Sequence, residues 1–205
     1  MKRCLKSKLM YCILLFATLN SCNTSEQKDP TIINELQYRC VQQLTDVIVH
    51  DIVNPPVASR MYVYSNIAFY EALRIIDQNY TSLLPDLKGF ITLTSPDTTV
   101  QRDYHLSAMI AFMKVAEALV FSKDSIRAGR ELLLDHFDHL DKKAYNNSIQ
   151  WGEEVASVIL DRASKDKYKL TRGMPKFSVL KEIGIWQQTP PDYEEAVEPN
   201  WRLIQ

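Results

Sequence analysis

The densest run of ligand-type side chains is Asp135-His136-Phe137-Asp138-His139. Two imidazoles three residues apart share a side of a helix. A tetrahedral metal site would need a third and fourth ligand from elsewhere in the chain. The same spacing suits the polar face of an amphipathic helix, and a solvated face is the reading adopted here. His50-Asp51 precedes an Asn-Pro-Pro break, where a cation suits the helix C-terminus. Arg60, Tyr64, Asn66, Tyr70 and Glu71 crowd one stretch and predict a buried Arg–Glu or Tyr–Glu network with a structural role. In "KYKLTRGMPK", Lys167, Lys169, Arg172, Gly173 and Lys176 could cradle an oxyanion, although the spacing of a phosphate-binding loop is missing. No Gly-x-Ser-x-Gly, Cys-x-x-Cys or His-Glu-x-x-His occurs. Asn79-Tyr80-Thr81 is a glycosylation acceptor only in a eukaryotic secretory pathway.

The elements that must position these residues are helical. Apolar positions 33, 36, 40, 44, 47, 48 and 52 recur at helical spacing and predict a helix over 32–53, stopped by Asn54-Pro55-Pro56. Further helices are predicted at about 57–77, 104–121, 123–142 and 145–164, the fourth with Ser122 as N-cap. Residues 78–103 read as a long loop. The third helix is apolar almost all round, interrupted only by Ser107, Lys114 and Glu117. Such a helix must be surrounded. Four amphipathic neighbours would cover it only in part, which predicts further helices or a partner. No strand alternation is visible.

Composition agrees with one globular domain: 205 residues, 46% hydrophobic and 24% charged. Lys2, Arg3, Lys6 and Lys8 all fall in the first 21 residues, which hold no acid, so the remainder is mildly acidic. No basic face for nucleic acid is indicated. "MKRCLKSK" followed by "LMYCILLFATL" and Leu19-Asn20-Ser21-Cys22 has the layout of a bacterial lipoprotein signal. The apolar run is too short to span a bilayer. Residues 1–21 are therefore expected to be removed and Cys22 to carry lipid. Residues 22–31 would be a polar tether and 32–205 the folded part. The protein is expected to be exported and anchored to a bacterial membrane, facing the periplasm or the surface. Cys40, alone on an apolar face, behaves as a small hydrophobe.

Three stretches carry a family likeness: "LTDVIVHDIVNPPVASRMYVYSNIAFYEAL" (44–73), "SKDKYKLTRGMPKFSV" (164–179) and "WQQTPPDYEEAVEPNW" (186–201). In order and content the chain resembles the N-terminal half of bacterial vanadium-dependent haloperoxidase-like lipoproteins, of the phosphatidic-acid-phosphatase type 2 superfamily. The resemblance spans about 32 to 201. It implies an all-α bundle and, in full-length relatives, a vanadate or phosphate pocket. That pocket would serve peroxide-dependent halide oxidation or phosphate-ester hydrolysis. The superfamily's oxyanion motifs are Lys with Arg-Pro seven residues on, Pro-Ser-Gly-His, and Ser-Arg with a His six residues after the Arg. None occurs here, and Ser59-Arg60, the one Ser-Arg pair, has Asn66 where the His should stand. No catalytic, cofactor-binding or metal residue is carried over, and no cofactor is expected on this chain, vanadate being implied only for full-length relatives. The Trp/Pro segment 186–201 then reads as a connector towards a catalytic half lying beyond it. The chain is expected to be a truncated N-terminal portion, inactive alone, partnered by a complementing C-terminal half or a second copy. The alternative is a short helical surface lipoprotein that serves as a binding module.

Overall fold

The computed structural model describes residues 30–180 and 182–205, with side chains from residue 35 onward. Ile33–Gln205 form one compact unit. The signal segment, Cys22 and residues 22–29 of the tether lie outside the described residues. The described residues hold six α-helices: α1 Pro30–His50, α2 Pro55–Leu73, α3 Tyr104–Leu119, α4 Lys123–Leu134, α5 Lys142–Lys165 and the single turn α6 Tyr168–Thr171. The described residues contain no strand, as the all-α reading requires. No helix among them is long and apolar enough to cross a membrane.

The apolar face expected for α1 is buried at Leu36, Cys40, Leu44, Val47 and Ile48. Ile52 is not part of it. The helix closes through Val53 N donating to Ile48 O at 3.0 Å, with Ile52 in the left-handed region at φ 52°. Glycine normally fills that closing position, and a β-branched residue there is strained. Its side chain is turned out and 88% exposed. The Asn-Pro-Pro break starts one helix as much as it ends another. Asn54 is extended, as a residue before proline should be, and Pro55 opens α2, where a missing N–H costs nothing.

Helix α3 is the axis of the bundle. Asp103 caps it by accepting from the His105 and Leu106 amides. Leu106 through Met113, with Val115 and Ala116, are all buried. The shortage of cover expected from the sequence is therefore not found: α2, α4 and α5 pack around α3 within this chain. The three polar interruptions each reach a neighbour. Ser107 Oγ donates to Ser148 O at 2.9 Å, and Lys114 pairs with Glu153 at 2.7 Å. Glu117 accepts from Arg127 at 2.8 Å and Arg130 at 3.0 Å. Partial burial pushes the Glu117 carboxyl up, but the two guanidiniums outweigh it and hold the group below its ordinary value.

The α3–α5 crossing is close because small residues line it. Ser148 Oγ accepts from Asp103 N at 2.8 Å and donates to Ala144 O. One turn later, a Cβ on Gly152 would meet Ser107 O at 2.5 Å and Ile110 Cβ at 2.8 Å. Alanine is intrinsically better than glycine in mid-helix by about 0.5–1 kcal/mol. A backbone oxygen cannot swing aside as a side chain can, so overpacking wins here. Gly152→Ala is expected to lose about 1–3 kcal/mol in urea unfolding; an unchanged or raised midpoint would contradict this contact.

Helix α1 is tied on by hydrogen bonds. Thr45 Oγ1 and Tyr62 Oη lie 2.8 Å apart, and Gln43 Nε2 donates to Ser125 O at 3.0 Å. Asp51, just past α1, accepts from the Phe121 and Ser122 amides at 3.1 and 3.0 Å and from the Ser122 hydroxyl. Ser122 thus stands at the head of α4, as the sequence suggested, but its hydroxyl serves Asp51 and caps no amide. Desolvation raises the Asp51 carboxyl, yet these donors and His50 hold it below its usual range.

Candidate functional site

The run at 135–139 is exposed except for Phe137, as the solvated-face reading expects. Helix α4 ends at Leu134 and Asp135–Phe137 form a 3₁₀ turn, so His136 lies in that turn and His139 beyond it, neither on the helix. Both are exposed, and no group of three or more potential metal ligands exists among the described residues. Cys40 is wholly buried, and desolvation pushes its thiol up to about 12, so it is an inert hydrophobe.

The polar residues of α2 do converge, but on partners the sequence did not indicate. Glu71, fully buried, pairs with Arg74 Nε at 2.8 Å. It also accepts from Ser82 Oγ at 2.9 Å and from Leu83 N at 2.7 Å. Tyr70 Oη donates to Thr81 O at 2.8 Å. Together they fasten the start of the long loop to α2. Asn66 accepts from Gln37 and donates to Tyr62 O.

Arg60, about three turns earlier on the same side of α2, meets other partners. Its Nε donates to Asp166 Oδ2 at 2.6 Å and its Nη2 to Ala163 O at 2.8 Å. Its guanidinium lies 5.0 Å from the Tyr64 ring centroid and 4.6 Å from that of Tyr168. Tyr64 Oη donates to the same Asp166 oxygen at 3.1 Å, and Tyr168 N to the other at 2.9 Å. Burial, then the Asp166 charge, pushes the Tyr64 hydroxyl up to about 12. Asp166 lies 106 residues from Arg60 in a stretch that reads as basic and irregular. Its position as the α5 C-cap was the one available signal.

The junction gathers more chain. Arg162 Nε donates to Lys88 O at 3.0 Å and its Nη2 to Gln205 O, while Gln205 N donates to Asp166 O at 3.1 Å. Gly89 has φ 83°, and a Cβ there would meet Arg162 Nε at 2.9 Å, so glycine is required both for backbone and for space. Trp201 packs edge-on against Tyr168 with centroids 6.5 Å apart. The end of α5 is therefore a node joining α2, the long loop and the C-terminal segment.

Beside the node lies a groove of about 450 Å³ between 171–179 and 186–200. Arg172 pairs with Glu198, and Lys176 with Glu195 at 2.7 Å. Two of the cations offered by the sequence as an oxyanion cradle are thereby engaged with carboxylates. Lys167 is a left-handed N-cap residue of α6 at φ 69°. Phe177 and Trp186 meet edge-on at 5.8 Å in the groove.

Neither family models nor curated proteins give a match to this sequence. A solved structure does: the chain is similar to a bacterial vanadium-dependent iodoperoxidase, described as the first of its kind, at 37% identity and a TM-score of 0.76. The likeness covers 83% of this chain and 41% of the iodoperoxidase chain. The expected fold class and the expected likeness to the haloperoxidases are both borne out. The chain spans about two fifths of the length of that relative.

Proposed function

From a haloperoxidase-like helical domain, we propose that this chain serves as the N-terminal helical portion of a vanadium-dependent haloperoxidase-like protein. It builds the scaffold beside the oxyanion pocket and supplies none of the pocket's ligands. The similarity to an iodoperoxidase over most of this chain but two fifths of that one carries the reading. The chemistry of the donor set supports it. A bound vanadate needs several cationic and neutral donors converging on one point, with an imidazole at the metal. Here Arg60 and Arg74 are engaged by Asp166 and Glu71, and Arg162 by two main-chain carbonyls. These side chains do not fit a vanadate, and no reaction step is assigned to them. When bound in a complete relative, the group would support peroxide-dependent halide oxidation; a phosphate-ester reaction is the neighbouring chemistry of the superfamily. We propose further that Cys22 is acylated and holds the protein on a membrane after export, on the strength of the signal layout; fatty-acid labelling abolished by Cys22→Ser is the expected readout.

Two purified proteins test the main reading. In the first, orthovanadate added to this chain should leave the free ⁵¹V resonance unshifted, and peroxide with iodide should give no triiodide. In the second, this chain is joined in one polypeptide to the part of the iodoperoxidase that it does not span, and iodide oxidation should appear. Stoichiometric vanadate binding by the first protein, or a folded but inactive second protein, would overturn the proposal.

A further inference from the structure

We propose that the groove between 171–179 and 186–200 is a docking surface for an amphipathic helical segment, the part of a haloperoxidase fold that this chain does not span. The proposal deepens the function proposed above and rests on it. Three observations carry it. First, four exposed apolar side chains line it together: Phe177, Val179, Trp186 and Val197 are each 38% exposed or more. Apolar groups gathered on one surface mark an interaction site, whereas scattered ones need no explanation.

Second, the groove has a fixed shape. Arg172–Glu198 and Lys176–Glu195 tie its two walls together. Gln188 Nε2 donates to Tyr193 O at 2.7 Å. Tyr193 and Glu198 both hold left-handed backbone at φ 47° and 49°, a strained state that persists only where surroundings impose it. The segment is anchored at its far end by Trp201 on Tyr168 and by Gln205 on the α5 node.

Third, the occupant is defined by chemistry and by length. Both wall cations are neutralised within the groove, so it offers no net charge to an anion or nucleic acid. Its lining sets Met174, Phe177, Val179, Trp186 and Val197 beside polar Thr171, Gln188 and Asn200, which suits a helix with an apolar ridge and polar flanks. The similar iodoperoxidase carries more than half of its chain outside the matched part. Helix α3, the element whose cover looked insufficient from sequence, is already enclosed, so the unmatched part has this surface and not α3 to cover.

The fused polypeptide described above provides the test, read by stability and footprinting and not by activity. In the free chain Val197→Asp changes a half-exposed position on the groove wall, so the unfolding equilibrium constant should shift by less than about threefold. In the fused chain the same change places a charge in a desolvated contact and should raise that constant by about tenfold or more. Hydroxyl-radical modification of Phe177 and Trp186 should fall strongly on fusion, while that of Phe121, 81% exposed at the α3–α4 corner, should stay as it was. Equal effects of Val197→Asp in both chains would sink the proposal. So would unprotected Phe177 and Trp186, a fused chain that does not unfold cooperatively, or a free chain that already protects these residues by dimerising. A fused chain that shows the docking signature without oxidising iodide leaves this surface standing and removes the functional reading. Activity without the signature does the reverse.

Discussion

Asp166→Ala is expected to lower the unfolding free energy by about 3–5 kcal/mol, because it strands a buried guanidinium. Arg60 has an 8% exposed side chain and Asp166 a 1% exposed one. With Asp166 removed, Arg60 keeps only the Ala163 carbonyl among its hydrogen bonds, Tyr64 Oη loses its acceptor, and the Tyr168 amide loses its cap. The two tyrosine rings that flank the guanidinium would attract it still, but a cation–π contact is worth about 0.5–2 kcal/mol and does not replace a carboxylate. Removing both charges should be gentler than removing one. The double variant Arg60→Met/Asp166→Leu is expected to recover at least about 1 kcal/mol relative to the sum of the two single losses. Urea unfolding followed by circular dichroism gives all four corners of that cycle. A loss below about 1 kcal/mol for Asp166→Ala would mean that the ion pair is not what holds α5 against α2.

The node also explains which parts of the structure could be read in the sequence. Helix spans α1 to α5 were legible because their apolar periodicity reflects the packing that stabilises them. Leu36, Cys40, Leu44, Val47 and Ile48 recur at helical spacing and are all buried. The ends were less legible. Ile52 continues the α1 pattern, yet the backbone closes the helix before it, and only the proline pair downstream hinted at the change. At the end of α4, Leu134 passes into a 3₁₀ turn with no breaker residue to announce it. That is why the helix was expected to run on through His136 and His139 to about 142. The partners of buried charges were not legible at all. Arg60 and Glu71 lie eleven residues apart on one side of α2, about three turns apart along its axis, and a pattern cannot show that one meets Asp166 and the other Arg74 and the loop. Helix α3 was recognised as enclosed, but whether its own chain encloses it depends on side-chain volume and crossing distance. The seam of Ser107, Ser148 and Gly152 settles that by letting α5 come close.

Phe112→Ala should destabilise the protein by about 3–5 kcal/mol, as deletion of a buried aromatic ring generally does. Phe112 has no exposed surface at the middle of α3. Its ring stands edge-on to Phe69 of α2, centroids 6.4 Å apart at 83°, an arrangement worth about 0.5–1.5 kcal/mol beyond area burial. Two contributions therefore vanish together: transfer of the ring out of water, and its contact with Phe69. The residual cavity sets where in the range the loss falls, at about 24 cal/mol per Å³ left unfilled. Helix α3 is held by neighbours on every side, so little collapse is available, and the upper part of the range is expected. Phe112→Leu, which keeps most of the volume, should lose clearly less and isolates the edge-on contact. A dry apolar cavity of this kind binds benzene, so added benzene should raise the Phe112→Ala melting temperature and leave the parent unchanged. If Phe112→Ala unfolds at the parent's urea concentration, α3 is not the axis of this bundle, and the enclosure that distinguishes it from the open groove at 171–200 is wrong.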